Sequence, residues 1–89
     1  MRRLARSPAR DDPDAALLDA YAAGDDAAAR VLIGRLGPRL LALATRMLGD
    51  GAEAEDIAQE AMLRLWQRAA EWRPGEARVA TWVTRVALN

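Results

Sequence analysis

Apolar residues recur at intervals of three and four along the middle of the chain: Val31, Leu32, Leu36, Leu40, Leu43, Met47 and Leu48. Side chains at that spacing share one face of an α-helix, so the stretch predicts a helix with a core-facing stripe. Asp25 or Asp26 supplies its N-cap and Gly49 its end, while Gly37-Pro38 inside it predicts a kink or a break, because proline removes an amide donor and crowds the preceding turn. Upstream, Asp12-Pro13-Asp14 combines an N-cap, a first-turn proline and an acid matched to the helix dipole, which predicts a first helix running to about Ala23 and stopping at Gly24. Downstream, Asp50-Gly51-Ala52-Glu53 has the spacing of a capping box and predicts a third helix to about Ala69. Ala70 to Ala77, with Trp72, Pro74 and Gly75, reads as a loop, and a fourth helix follows to the end. Residues 1–11, with Pro8 and clustered arginines, read as a disordered basic arm. The expected fold is an all-α, compact bundle of three to four helices over residues 12–89, with no internal repeat.

On a wheel of 100° per residue, the third helix gathers Ile57, Ala58, Ala61, Met62, Leu65 and Trp66 on one broad apolar face. The opposite face holds Asp56, Gln59, Glu60, Arg64 and Gln67, with Leu63 in their midst. A single exposed leucine is ordinary. Ringed by acids and amides, it is also what the apolar centre of a small docking patch for a basic partner looks like.

The fourth helix divides in the same way. Val79, Trp82, Val83 and Val86 face the core, and Arg78, Thr81, Arg85 and Asn89 form a polar stripe. These side chains suit nucleic acid: arginine pairs with phosphate or guanine, asparagine reads a base edge, and threonine reaches either. Trp72 and Arg73 stand just before this helix, where an aromatic can stack an unpaired base while the guanidinium holds its phosphate. The alternative for Trp72 is a loop aromatic folded back onto the core. Trp66 and Trp82 lie on apolar faces and are assigned to the core.

Composition narrows the chemistry. The 89 residues include no cysteine and no histidine, which removes the usual ligands of zinc, haem and iron–sulfur centres, and no cofactor is expected. Every basic residue is arginine, so Schiff-base lysines are absent, and Ser7, the one serine, has no imidazole to activate it. Paired carboxylates such as Glu53 and Glu60 would need a Glu-x-x-His partner to make a ferritin-like metal site, and the chain has none. No enzyme is expected. The basic N-terminus lacks the apolar core of a signal peptide, and Leu40–Ala44, the longest apolar run, is far too short to span a bilayer, so a cytoplasmic protein with no membrane association is expected.

The 13 basic and 13 acidic residues cancel overall but not locally. Residues 1–10 carry four arginines; residues 11–63 carry eleven acids against four arginines; residues 64–89 carry five arginines against Glu71 and Glu76. The resulting charges of +4, −7 and +3 suggest an acidic surface for a protein and a basic one for an anion such as nucleic acid.

The string Asp-Gly-Ala-Glu-Ala-Glu-Asp-Ile-Ala-Gln-Glu-Ala-Met-Leu-Arg-Leu-Trp at 50–66 carries a family resemblance, together with Trp72-Arg73-Pro74-Gly75 and Thr81-Trp82-Val83-Thr84-Arg85-Val86-Ala87-Leu88-Asn89. It resembles region two of bacterial extracytoplasmic-function (ECF) sigma factors, and the likeness covers about residues 13–89. It implies a promoter-recognition domain that docks on the clamp helices of RNA polymerase and captures the minus-ten element of the non-template strand, with an anti-sigma factor as a further partner. The family's clamp-contacting acid, amide and acid fall on Asp56, Gln59 and Glu60, the face that wheel geometry had set around Leu63. The base-capturing loop falls on Ala70–Ala77 with Trp72 at its aromatic position, and the base-pocket asparagine falls on Asn89. The polymerase-binding set is therefore Asp56, Gln59, Glu60 and Leu63, and the DNA-binding set is Trp72, Arg73, Arg78, Thr81, Arg85 and Asn89.

The chain departs from the family pattern in two respects. Ala80 and Thr84 stand where many relatives carry aromatics, which leaves a strand-opening role for those positions without support. The chain also stops at Asn89, before the family's helix-turn-helix domain, so it is expected to be an excised domain unable to support promoter-specific initiation alone. The competing reading is an α-helical adaptor or self-associating bundle whose acidic face meets another protein and which binds no nucleic acid. Binding to single-stranded promoter DNA separates the two.

Overall fold

The computed structural model describes residues 12–73 and 77–89; the basic arm at 1–11 and loop residues 74–76 lie outside the described residues. Four helices follow one another: α1 Pro13–Ala22, α2 Asp26–Leu48, α3 Gly51–Arg68 and α4 Val79–Leu88, with a 3₁₀ turn at Ala69–Glu71 after α3. The fold is all-α, as expected.

The start and stop signals act where the sequence places them. Asp25 caps α2 by accepting from the amides of Ala27 and Ala28, and Asp50 caps α3 by accepting from those of Ala52 and Glu53. The two turns close on Gly24 (φ 107°) and Gly49 (φ 73°), left-handed conformations that cost glycine little. Pro38 neither breaks α2 nor ends it, since the helix continues to Leu48. Gly34, whose carbonyl loses its amide partner at Pro38, is exposed, so that carbonyl is not buried without a partner.

The core is built from Leu18 of α1, Leu32, Leu36 and Leu40 of α2, Ala58, Ala61, Met62 and Leu65 of α3, and Val79 and Val83 of α4. Ala54, Ala58 and Ala61 on the inner side of α3 are buried, and α3 packs against α2. The core stripe of α2 is narrower than the spacing predicted: Val31, Met47 and Leu48 are exposed, and burial follows the four-residue step from Leu32 to Ala44. The 23 residues of α2 rise about 35 Å, whereas α1 and α4, with ten residues each, rise about 15 Å, so partners do not cover its whole apolar side.

Trp66 and Trp82, assigned to the core from their helical faces, pack against it but are only half-buried. Each is too large to vanish into so thin a bundle and instead caps a seam. Trp66 lies against Tyr21 of α1 with ring centroids 4.7 Å apart, and Trp82 meets Trp72 edge-on at 5.8 Å. Among the described residues, no helix is long and apolar enough to cross a membrane.

Candidate functional site

The outer face of α3 is set by helical phase. With Ala54, Ala58, Ala61, Met62 and Leu65 turned inward and buried, Asp56, Gln59, Glu60, Leu63, Arg64 and Gln67 are all exposed. Leu63 keeps half its surface in solvent, 50%, among acids and amides. Glu60 accepts from the Arg64 Nε at 3.1 Å, an i,i+4 pair that holds its carboxylate in place but, at this exposure, adds only a few tenths of a kcal/mol. Beside Leu63 an open apolar groove of about 460 Å³ runs between α2 and α3, lined by Ile33, Gly37, Met62, Leu63 and Trp66. Ile33, 49% exposed, is the residue that sequence reasoning missed here. Its signal was available, since it is a large apolar residue standing off the core stripe of α2.

The α4 stripe is also exposed: Arg78, Thr81, Arg85 and Asn89 face solvent while Val79 and Val83 are buried beneath them. The structure does not bring the six DNA-site candidates into one pocket. Trp72 packs on Trp82, which precedes Asn89 by seven residues and about 10 Å of helical rise. A single base stacked on Trp72 and read by Asn89 does not fit that separation, so the candidates form a track along α4 instead. Asn89 ends the track in a groove of about 510 Å³ whose other wall carries Glu53, Asp56 and Glu60 of α3. The two candidate sites therefore adjoin at that end of the molecule.

Trp72 is the folded-back aromatic, not a free stacking platform. It is half-buried, lies edge-on to Trp82, and has the Arg68 guanidinium 5.9 Å from its ring centre; the same guanidinium is 5.7 Å from the Trp82 ring. This cation–π cluster fixes the root of the loop, because both rings share one cation. Arg73, next along, is exposed.

One contact had no local signature. Asp12, 2% exposed, caps α1 as expected, its Oδ1 accepting from the Asp14 amide at 3.1 Å. Its Oδ2 accepts from the amide of Val79 at 2.8 Å, 67 positions away, at the first residue of α4. The Arg78 guanidinium approaches the same carboxylate at 3.8 Å. Arg78 is itself the N-cap residue of α4 and makes no side-chain capping bond, since arginine has no acceptor to offer.

The family model for Sigma-70 region 2 matches residues 32–89. The RNA polymerase sigma-H factor of Pseudomonas aeruginosa is 31% identical over 78 residues, which cover 88% of this chain and 40% of that protein. The ECF RNA polymerase sigma factor RpoE of Cereibacter sphaeroides is 32% identical over 65 residues, 73% of this chain and 36% of the relative. The ECF RNA polymerase sigma factor SigG of Mycobacterium tuberculosis is 44% identical over 50 residues, 56% of this chain and 13% of the relative. The matched stretch thus spans less than half the length of each of these relatives. No solved structure matches the chain significantly.

Proposed function

This chain belongs to the sigma-70 region 2 family, in its extracytoplasmic-function branch, and from that premise we propose that it docks on RNA polymerase through α3 and takes single-stranded promoter DNA along α4. The docking partner is the pair of clamp helices of the polymerase core, met by Asp56, Gln59 and Glu60 around Leu63. The DNA is the minus-ten element of the non-template strand. Arg73 and Arg85 hold phosphates, Arg78 flanks them with its guanidinium beside the Asp12 carboxylate, Thr81 and Asn89 reach bases, and Trp72 acts by fixing the root of the loop that receives an unstacked base. The domain works by binding and not by catalysis, and an anti-sigma factor that occludes one of these faces belongs to the same proposal.

The observation that carries this reading is Leu63: a half-exposed leucine at the centre of an acidic and amide ring, on a helix whose opposite side buries Ala54, Ala58, Ala61, Met62 and Leu65 in the core. Apolar centres with polar rims are where interface energy concentrates, and the acidic rim selects a basic partner. The test is Asp56→Arg or Glu60→Arg in a binding assay with polymerase core. Reversal is expected to weaken binding while helix content and melting temperature stay nearly unchanged. Undiminished binding removes the docking role and favours the adaptor reading, in which α3 meets another protein and DNA is not bound.

A further inference from the structure

The helix that carries the DNA stripe has no cap of its own, and the residue that caps it comes from the far end of the domain. The first amides of α4 are without helical partners and carry the positive end of the helix dipole. Asp12 answers one of them through Oδ2 and the start of α1 through Oδ1. Its backbone carbonyl also accepts from the Ala15 amide at 3.0 Å, which ties the Asp12 main chain to the first turn of α1. At 2% exposure water does not compete for these bonds.

Two consequences follow from that geometry. The first is a lever: α4 rises about 15 Å from Val79, so a 10° pivot at its capped end displaces Asn89 by more than 2 Å, enough to lose a base-edge hydrogen bond. The second is electrostatic. Arg78 and the start of α4 would together attract any phosphate regardless of sequence, and the Asp12 carboxylate lies against both. We propose that Asp12 is the positioning and specificity-determining residue of the α4 stripe, pinning the start of the helix and neutralising its positive end, so that DNA is held farther along by Arg85 and read by Asn89. This inference rests on the single-strand reading above.

The test is Asp12→Asn, which conserves shape, removes the charge and leaves one oxygen for two amides. Binding is measured by fluorescence polarisation over a salt series, with oligo-dT and with a strand enriched from a random single-stranded pool. Affinity for oligo-dT is expected to rise about two- to fivefold, the slope of log K against log salt to steepen by about 0.7, and preference for the enriched strand to shrink. Equal weakening on both strands without a steeper slope overturns the proposal, because that is what a merely structural cap would produce. Should Asp12→Asn not fold, Arg78→Gln and Arg85→Gln decide the matter. Arg85→Gln is expected to flatten the slope by about 0.7 and Arg78→Gln by clearly less; equal flattening overturns the proposal. Wild-type chain that binds neither strand overturns the single-strand reading itself, and the pinning is then judged by amide exchange at Val79, expected at least tenfold faster in Asp12→Asn; unchanged exchange shows that Asp12 holds nothing in place.

Discussion

Helices α3 and α4 pack against each other and turn opposite chemistry outward, acids around a leucine on one and arginines with an asparagine on the other. They differ as much in what holds them. The 18 residues of α3 begin at Asp50, the residue immediately before the helix, and both its buried and its outer faces follow from the phase of one periodic stretch. The ten residues of α4 begin at a carboxylate supplied by Asp12, and the helix is braced by Trp82 against Trp72 under Arg68. A ten-residue helix is marginal in isolation, so the polar stripe of α4 exists only while its tertiary supports do. The α3 face, by contrast, is a property of a single helix and can be altered without disturbing the core.

That contrast can be broken most forcefully at Trp82. Trp82→Ala is expected to cost about 3 kcal/mol, the lower end for a packed tryptophan because this one is half-buried, which is a large share of the stability of so small a domain. Thermal unfolding followed by circular dichroism measures it; a variant as stable as wild type would mean that α4 does not depend on the aromatic cluster. Leu63→Asp is the counterpart on α3. It is expected to lose about 2 kcal/mol of polymerase-core affinity while shifting unfolding free energy by no more than about 0.5 kcal/mol, and a comparable loss of stability would show that the face is not autonomous.

Asn89→Ala sharpens the α4 side. If the amide reads a base edge, discrimination at one position falls by about 1 kcal/mol or more, measured as the affinity ratio between strands differing at that base, and loss spread equally over all sequences removes the reading role. The smallest effect belongs to Arg64→Ala, which deletes the ion pair with Glu60. It is expected to change stability by about 0.3 kcal/mol in chemical denaturation. A change above 1 kcal/mol would mean that the outer face of α3 contributes to the fold after all.

Much of this molecule is legible in short windows of sequence. Asp25, Asp50, Gly24 and Gly49 act on atoms two to four residues away, so their residue types alone announce where helices start and stop. Leu63 is legible for the same reason, because helical phase places it opposite Ala61 and Leu65 whatever else the chain does. Pro38 shows the edge of such reasoning: the residue type predicts damage to the helix, yet α2 continues through it, with Gly34 and Pro38 both exposed.

The sequence by itself determined the all-α fold, the local caps of α1, α2 and α3 and the exposed α3 face, since each depends on contacts within one or two turns. Tertiary structure decided which apolar residues are covered, leaving Val31, Ile33 and Met47 in solvent because α2 outruns its neighbours. It folded Trp72 onto Trp82, separating it from Asn89. It also gave Asp12 its second partner, Val79. In each case the deciding atoms lie far apart along the chain, and whether they meet depends on helix packing, which no local pattern of residues encodes.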